Sequence, residues 1–256
     1  MGRPLIKNII QHYPGELKTE IIKISNAFDD VSTRDTTRSL GFCEPNIISI
    51  IQELSTHYEE VEVKIDGGYD GAEKCKVLLF PKYFGDVDSG VKIFEIKYSY
   101  KFVKLEHRQI LGTILNNGID YSKFGDIIIS PDGRIKIIVD EILFDTLPYL
   151  IERVANQKVS FVESKNVEIE KIENIEKSVR VKSLRIDIFV KQMARKSRSK
   201  ANDILDGKNV KINFVTMENK TKNIAVDDVI SIRGYGRFII VSITPTSKGS
   251  FHIIYK

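Results

Sequence analysis

The chain has 256 residues, 42% of them hydrophobic and 29% charged, with a net charge of +4 and two cysteines. That length accommodates two or three modest cores, and that balance belongs to a folded protein rather than a disordered or membrane-spanning one. The longest apolar runs, such as 127–129 and 238–241, fall far short of the roughly 20 residues that a bilayer crossing needs.

Residues 1–10 show neither the long apolar stretch nor the small-residue cleavage site of a secretory signal. Cys43 and Cys75 lie in unrelated contexts and form neither a disulfide framework nor a zinc pattern. A reducing cytoplasm is therefore the expected compartment.

From 16 to 28, Leu17, Ile21, Ile24 and Phe28 fall close to helical spacing with charges between them, which predicts an amphipathic helix. The stretch 29–42, rich in Ser, Thr, Asp and Arg, reads as a turn region, and Pro45 stands where a second helix would start, running to about His57. Alternation over 61–65 predicts a strand, followed by the turn-rich Asp66-Gly67-Gly68-Tyr69-Asp70-Gly71.

From Lys74 on, strands are expected at 76–80 and 91–98, a helix at 106–116, and strands at 126–130 and 134–140 joined as a hairpin by Pro131-Asp132-Gly133. A second helix at 141–156 and a strand at 158–162 follow. The order strand-helix-strand-strand-helix-strand is that of a ferredoxin-like plait, which RRM-type RNA binders also use. No clear RNP-type aromatic motif accompanies it, and Phe94, Tyr98 and Tyr100 read equally as core or edge residues and as stacking platforms. The charged stretch 163–181, without Gly or Pro, reads as the end of a strand running into a linker.

Divided at Val179, the charge is lopsided. Residues 180–256 hold 16 Lys or Arg against 6 Asp or Glu, whereas 1–179 hold 23 against 29. A small basic module on a mildly acidic body points to one polyanion-facing part, with the rest scaffold or protein-facing.

Within the basic part, Leu184, Ile188, Phe189, Gln192 and Met193 describe a short amphipathic helix ending near Ala194. Ser197 caps a second helix, 198–205, stopped by Gly207. Between them run Arg195, Lys196, Ser197, Arg198, Ser199 and Lys200, four of the six cationic. A helix N-terminus offers unpaired N–H groups and a positive dipole end, so cations and hydroxyls there suit phosphate oxygens. Strands are expected at 209–213, 228–233, 237–243 and 251–255, with Lys208, Lys211, Arg233 and Arg237 extending the same face.

Here the sequence resembles a known RNA-binding domain, the one first named from ribosomal protein S-four. The likeness rests on Ser-Leu-Arg-Ile-Asp at 183–187, Ser-Arg-Ser-Lys-Ala at 197–201, Ile204-Leu205, Gly207, 210–213 and 228–234. It implies two helices on a small sheet whose basic face grips structured RNA. Arg185, Arg198 and Lys200 are then the foremost contacts, and Asp187 orients a neighbouring Arg.

The rest of the chain is similar to the YlmH family. The matching residues are Gly67-Gly68-Tyr69 with Ala72-Glu73, Pro81 and Tyr83, Tyr98 with Lys101-Phe102, His107 with Ile110-Leu111-Gly112, and Gly118-Ile119 with Gly125-Asp126-Ile127. That resemblance implies an α+β chain: a helical N-terminal region (1–72), an RRM-like, ferredoxin-like-plait middle domain (73–165), a linker (166–181) and a small α/β S-four-type domain (182–256). It also implies association with the large ribosomal subunit and tRNA in the rescue of stalled translation. Family genes often neighbour cell-division genes. Two departures, Lys74-Cys75-Lys76 and Asp120-Tyr121, stand where the family is usually more basic, and imply a middle domain that contacts RNA less.

His12, His57, His107 and His252 lie in different expected elements without motif-spaced partners and read as structural, with His107 suited to packing or helix capping. Gly67-Gly68 lacks the rest of a phosphate-binding loop and reads as a backbone turn. Gly234-Tyr235-Gly236 reads as a tight turn, with Tyr235 open to base stacking. Lys196 to Lys200 bears a faint likeness to the lysine-serine loop of class I synthetases, and 184–187 to a pseudouridine-synthase motif. Both fall inside the RNA-binding fold rather than in a catalytic domain.

The expected protein is thus a non-catalytic, monomeric, cytoplasmic RNA binder without cofactor or metal. Its expected partners are large-subunit ribosomal RNA and tRNA, in ribosome-associated quality control. The alternatives are an RNA-modifying enzyme or its accessory, and a cell-division adaptor.

Overall fold

The computed structural model describes residues 11, 13, 15–165, 175–247 and 249–256. The readings made for 1–10, His12 and the central linker, 166–174, lie outside the described residues. The chain mixes helices with antiparallel sheets and divides into two units, Met1–Lys171 and Ile172–Lys256.

The first unit opens with α1 (Gly15–Arg34), longer than expected because Val31 continues the buried stripe of Ile21, Ile24 and Phe28. Strand β1 (Arg38–Cys43) lies in the stretch expected to be a turn. Its polar first half and a register shift between Ser39 and Gly41, where Gly41 sits at φ +73°, interrupt the alternation that marks a strand. Helix α2 (Pro45–Ser55) starts with Pro45 at its first position and buries Ile50, Ile51 and Leu54.

Strands β2 (Val61–Asp66) and β3 (Cys75–Pro81) follow, and the sheet order is β1-β3-β2. The strand expected at 76–80, as the first of the middle domain, is therefore the centre of the N-terminal sheet. Its position follows from burial on both sides, since Val77, Leu78, Leu79 and Phe80 are all 6% exposed or less.

A second sheet is built from β4 (Val91–Lys97), helix α3 (His107–Asn116), β5 (Phe124–Ile129), β6 (Ile135–Asp140), α4 (Leu147–Leu150), a hairpin of β7 (Arg153–Val154) and β8 (Gln157–Lys158), and β9 (Ser160–Glu163). Its antiparallel order is β5-β6-β4-β9. The helix expected over 141–156 is reduced to a 3-10 turn, Glu141–Leu143, and the four residues of α4. Pro148 supplies no N–H to a continuing helix, and Ile151 is already extended. One face of this sheet carries Phe94, Ile96, Ile135, Ile137 and Val139 into a core with Ile110, Ile114 and Leu147. The other face places Ile93 and Ile138 against Phe42 of β1, with Tyr69 packed beside them.

The second unit contains β10 (Lys177–Val181), α5 (Ile186–Ala194), α6 (Arg198–Asp206), β11 (Val210–Ile212), β12 (Val215–Thr216), β13 (Val229–Ile232), β14 (Gly236–Pro245) and β15 (Phe251–Tyr255). The sheet order is β10-β15-β14-β13-β11-β12. Strand β10 corrects the linker expected over 166–181: five of those residues pair in register with β15. Only Val179 and Val181 alternate there among charged neighbours, too sparse a pattern to show at an edge. Phe189, Val190, Ala201 and Leu205 of the two helices pack on Val210, Ile212, Ile230, Ile232 and Ile240 of the sheet.

Candidate nucleic-acid interface

The turn from α5 to α6 is closed by its own backbone. Arg195 adopts the left-handed conformation (φ +53°, ψ +44°), and its N–H donates to the Gln192 and Lys191 carbonyls. The Lys196 N–H also donates to the Lys191 carbonyl (3.2 Å). Glycine usually takes that position; arginine there places a cation on the negative end of α5. Ser197 then caps α6, its Oγ accepting the Lys200 N–H at 3.3 Å. The first-turn N–H groups of Arg198 and Ser199 have no intrahelical acceptor. All six residues from Arg195 to Lys200 are exposed. Four positive side chains and two hydroxyls thus surround the positive end of a helix.

A buried carboxylate fixes part of this array. Asp187, 1% exposed, accepts from Arg185 Nε at 3.0 Å and Nη2 at 2.9 Å, and from Arg198 Nη2 at 3.4 Å. Arg185 and Arg198 are thereby brought together, as expected of a residue that orients neighbouring arginines. Burial works to raise the Asp187 pKa, but the Arg185 hydrogen bonds and the charges of Arg185 and Arg198 outweigh it and hold the carboxyl below its ordinary value. The N-terminus of α5 is closed by contrast, because the Ile186 and Asp187 N–H groups donate to the Lys222 and Lys220 carbonyls at 2.8 and 3.4 Å.

A carboxyl depressed in the folded state stabilises above its unfolded pKa of about 3.9, and that contribution is lost as pH falls through the folded value. Asp187→Asn should therefore cost about 1–3 kcal/mol at neutral pH. The difference from wild type should shrink as pH drops through the carboxylate range, read by denaturant unfolding at several pH values. A deficit that does not change with pH would show that the charge of Asp187 is not the cause.

The remaining cations divide. Lys208, at φ +55°, lies beyond α6 and pairs with Glu218 at 2.7 Å. Arg233 is exposed at the β13–β14 turn. Lys211 and Arg237 do not extend the face of the helices. Val210 and Ile212 point into the core, so Lys211 projects from the opposite side of the sheet, in one cross-strand row with Ser231 and Arg237. There the Arg237 guanidinium stands 5.0 Å from the centre of the Phe214 ring.

Tyr235 does join the turn, lining a groove of about 200 Å³ with Lys196, Lys200, Asp203, Ile204 and Asn209. A second, larger hollow of about 860 Å³ gathers Arg180, Lys182 and Lys191 around Ile188, Gln192 and Ser250. Sequence reasoning missed these three cations: Arg180 belongs to the segment taken for a linker, and Lys182 and Lys191 lie outside the run at 195–200. Among the described residues, no group of three or more His, Cys, Asp or Glu side chains is placed to hold a metal ion.

Residues 85–184 match the family described as "Putative RNA-binding domain in YlmH". "Ribosome-associated protein quality control protein P2" of Bacillus subtilis (strain 168) is 30% identical over 203 residues, 78% of this chain and 79% of that protein. The chain belongs to the YlmH family. The solved structure "Cell division protein ylmH from Streptococcus pneumoniae" superposes with a TM-score of 0.52 at 26% identity, over 60% of this chain and 93% of that one.

Among the upstream residues that carry the likeness to YlmH proteins, Tyr69, Glu73, Gly125 and Asp126 build a seam rather than an open surface. Asp126 accepts from the Tyr69 hydroxyl (2.6 Å) and the Glu73 and Lys74 N–H groups (2.7 and 3.1 Å). Lys74 donates to the Tyr121 and Phe124 carbonyls, both at 2.7 Å, with its Nζ 3.5 Å from the centre of the Tyr121 ring. Burial pulls its pKa down to about 8, against the opposing pull of Glu44 and Asp126. A Cβ on Gly125 would stand 2.8 Å from the Phe42 ring, so glycine is what lets β1 lie on β5. Lys74 and Lys76 are buried, only 5% and 4% exposed. Phe94 is in the core, stacked on Phe144 at 4.5 Å between ring centres, and Tyr98 and Tyr100 are half-buried. His107 opens α3, but the capping box there is made by Glu106 and Gln109.

Proposed function

We propose that this YlmH-family chain is a non-catalytic RNA-binding protein that acts at the large ribosomal subunit, on its ribosomal RNA, tRNA or both, in quality control of stalled translation. The observation that carries this reading is the α5–α6 turn, where four exposed cations and two hydroxyls ring the open N-terminus of α6. In this proposal residues 182–256 work as an S-four-type domain with β10 added at the sheet edge, and the β4–β9 sheet as an RRM-like plait. The family description of 85–184 and the printed name of the Bacillus subtilis relative support it.

Its action is mechanical: phosphate contacts from the turn position an RNA without chemistry. No helix among the described residues is long and apolar enough to cross a membrane. A cytoplasmic monomer needing no cofactor is the form proposed.

The test is sedimentation of the tagged protein with cell lysate through sucrose gradients at low and high salt. Co-migration with large subunits at low salt, released at high salt, is the expected result. Protein remaining at the top of both gradients would overturn the ribosomal reading. The name of the pneumococcal relative and the acidic balance of 1–179 favour one second reading, a cell-division adaptor. Partner capture that survives nuclease treatment would select it.

A further inference from the structure

The sheet β4–β9 offers bases only part of one face. Phe42 and Tyr69 cover Ile93 and Ile138 on the side that the helices leave free, where Val162 stays 47% exposed, and Phe94 faces inward. The part left open, with Glu95, Lys97, Lys136 and Val162, carries no aromatic ring, so a stacking contact from this sheet falls to its loops.

The loop joining β4 to α3 has the required composition. Residues 98–104 of it read Tyr-Ser-Tyr-Lys-Phe-Val-Lys, two cations and three aromatics, and the one carboxylate of the loop, Glu106, caps α3 and pairs with Arg108, within a region that is acidic overall. Phe102 is 89% exposed, the largest value among the exposed large hydrophobic residues described. Lys101 and Lys104 on either side of it are exposed.

The loop is also held in shape. The Tyr98 hydroxyl donates to the Gly133 carbonyl at 2.7 Å, and the Tyr98 and Tyr100 rings meet edge-on at 6.2 Å. The Ser99 carbonyl accepts both the Phe102 and Val103 N–H groups, at 3.0 and 3.1 Å, and Leu105 is buried in the core. The two tyrosines therefore serve as the mount, and Phe102 is the ring presented to solvent.

An isolated exposed phenylalanine contributes nothing to folding, whereas an aromatic platform between cations is how single-stranded nucleic acid is held: every base has a π-face, and its phosphates take the flanking charges. Tyr149 and Ile142 are also exposed, but acidic Asp145 and Glu141 stand near them in the chain in place of lysines. We propose that the β4–α3 loop is a contact for single-stranded RNA in which Phe102 stacks on an unpaired base and Lys101 and Lys104 meet the adjoining phosphates. This rests on the RNA-binding reading above and adds a site separate from the α5–α6 turn.

The test is equilibrium binding of the full-length protein to a fluorescein-labelled single-stranded RNA and to a fully paired RNA hairpin across a salt series. The proteins compared are wild type, Phe102→Ala, Phe102→Trp, Lys101→Glu with Lys104→Glu, and Arg198→Glu. Phe102→Ala should weaken single-strand binding about tenfold at every salt concentration, leave the salt slope unchanged and spare the hairpin. Phe102→Trp should restore the affinity, and the double lysine variant should flatten the slope. If Phe102→Ala matches wild type while Arg198→Glu loses affinity, the loop contact is wrong and the turn stands. If wild type binds neither RNA, both readings fall.

Discussion

Exchanging Lys76 for Met should lower the unfolding free energy of the intact protein by about 3–5 kcal/mol, the cost of removing one partner from a buried ion pair. Lys76 Nζ lies 3.0 Å from Asp140 Oδ1, and the two side chains are 5% and 4% exposed. Once the ammonium is gone, Asp140 keeps the Ile142 N–H at 3.2 Å and Lys123 at 3.6 Å. Those partners set the loss toward the lower end of the range. The backbone contact matters for shape as well, because Asp140 starts the 3-10 turn that replaces the expected helix. Lys76→Met with Asp140→Asn should recover part of the loss, since the amide carries no charge to strand and its oxygen still accepts the Ile142 N–H. Denaturant unfolding followed by circular dichroism reads both; a single variant within 1 kcal/mol of wild type would show that the pair is not a buried anchor.

Arg198→Glu should have the largest effect on binding. Arg198 is the first residue of α6, its side chain 61% exposed, with one Nη2 contact to the buried Asp187. Each phosphate that a protein neutralises releases condensed counterions, so the slope of log affinity against log salt falls by about 0.7–0.9 when one contact is lost. Reversal removes one such contact and sets a carboxylate beside Asp187 and the phosphate path. Affinity at low salt should therefore fall by more than the loss of a single contact, while at high salt, where the electrostatic contribution is small, the variant and wild type should converge. Because the Arg198 side chain lies mostly in solvent, the fold should survive the change.

What could be read beforehand follows the range of the interactions. The Ser197 cap, the stop at Gly207 and the two short helices depend on neighbours within a turn of chain, and they were legible. Asp187 as a positioning group came from the resemblance to the S-four-type domain, and it does bind Arg185 two residues away. Strand β10 was not legible, because the partner that makes it a strand is β15, 70 or more residues away. Phe42 on Gly125, between two sheets, and Tyr69 on Asp126, from a turn to a sheet, are likewise distant contacts that no local periodicity reports. Lys211 is a different case: Val210-Lys211-Ile212 already alternates, and two apolar neighbours facing the core oblige the lysine to leave from the other face. The helix expected over 141–156 failed on Pro148, whose missing N–H was visible in the sequence.

The most direct test of the central claim, that the α5–α6 turn binds RNA through phosphates, is the affinity of wild type and Arg198→Glu for purified large ribosomal subunits across a salt titration. The account predicts tight, steeply salt-dependent binding by wild type, and weaker binding with a slope smaller by about one in the variant. Equal slopes for the two proteins would contradict it.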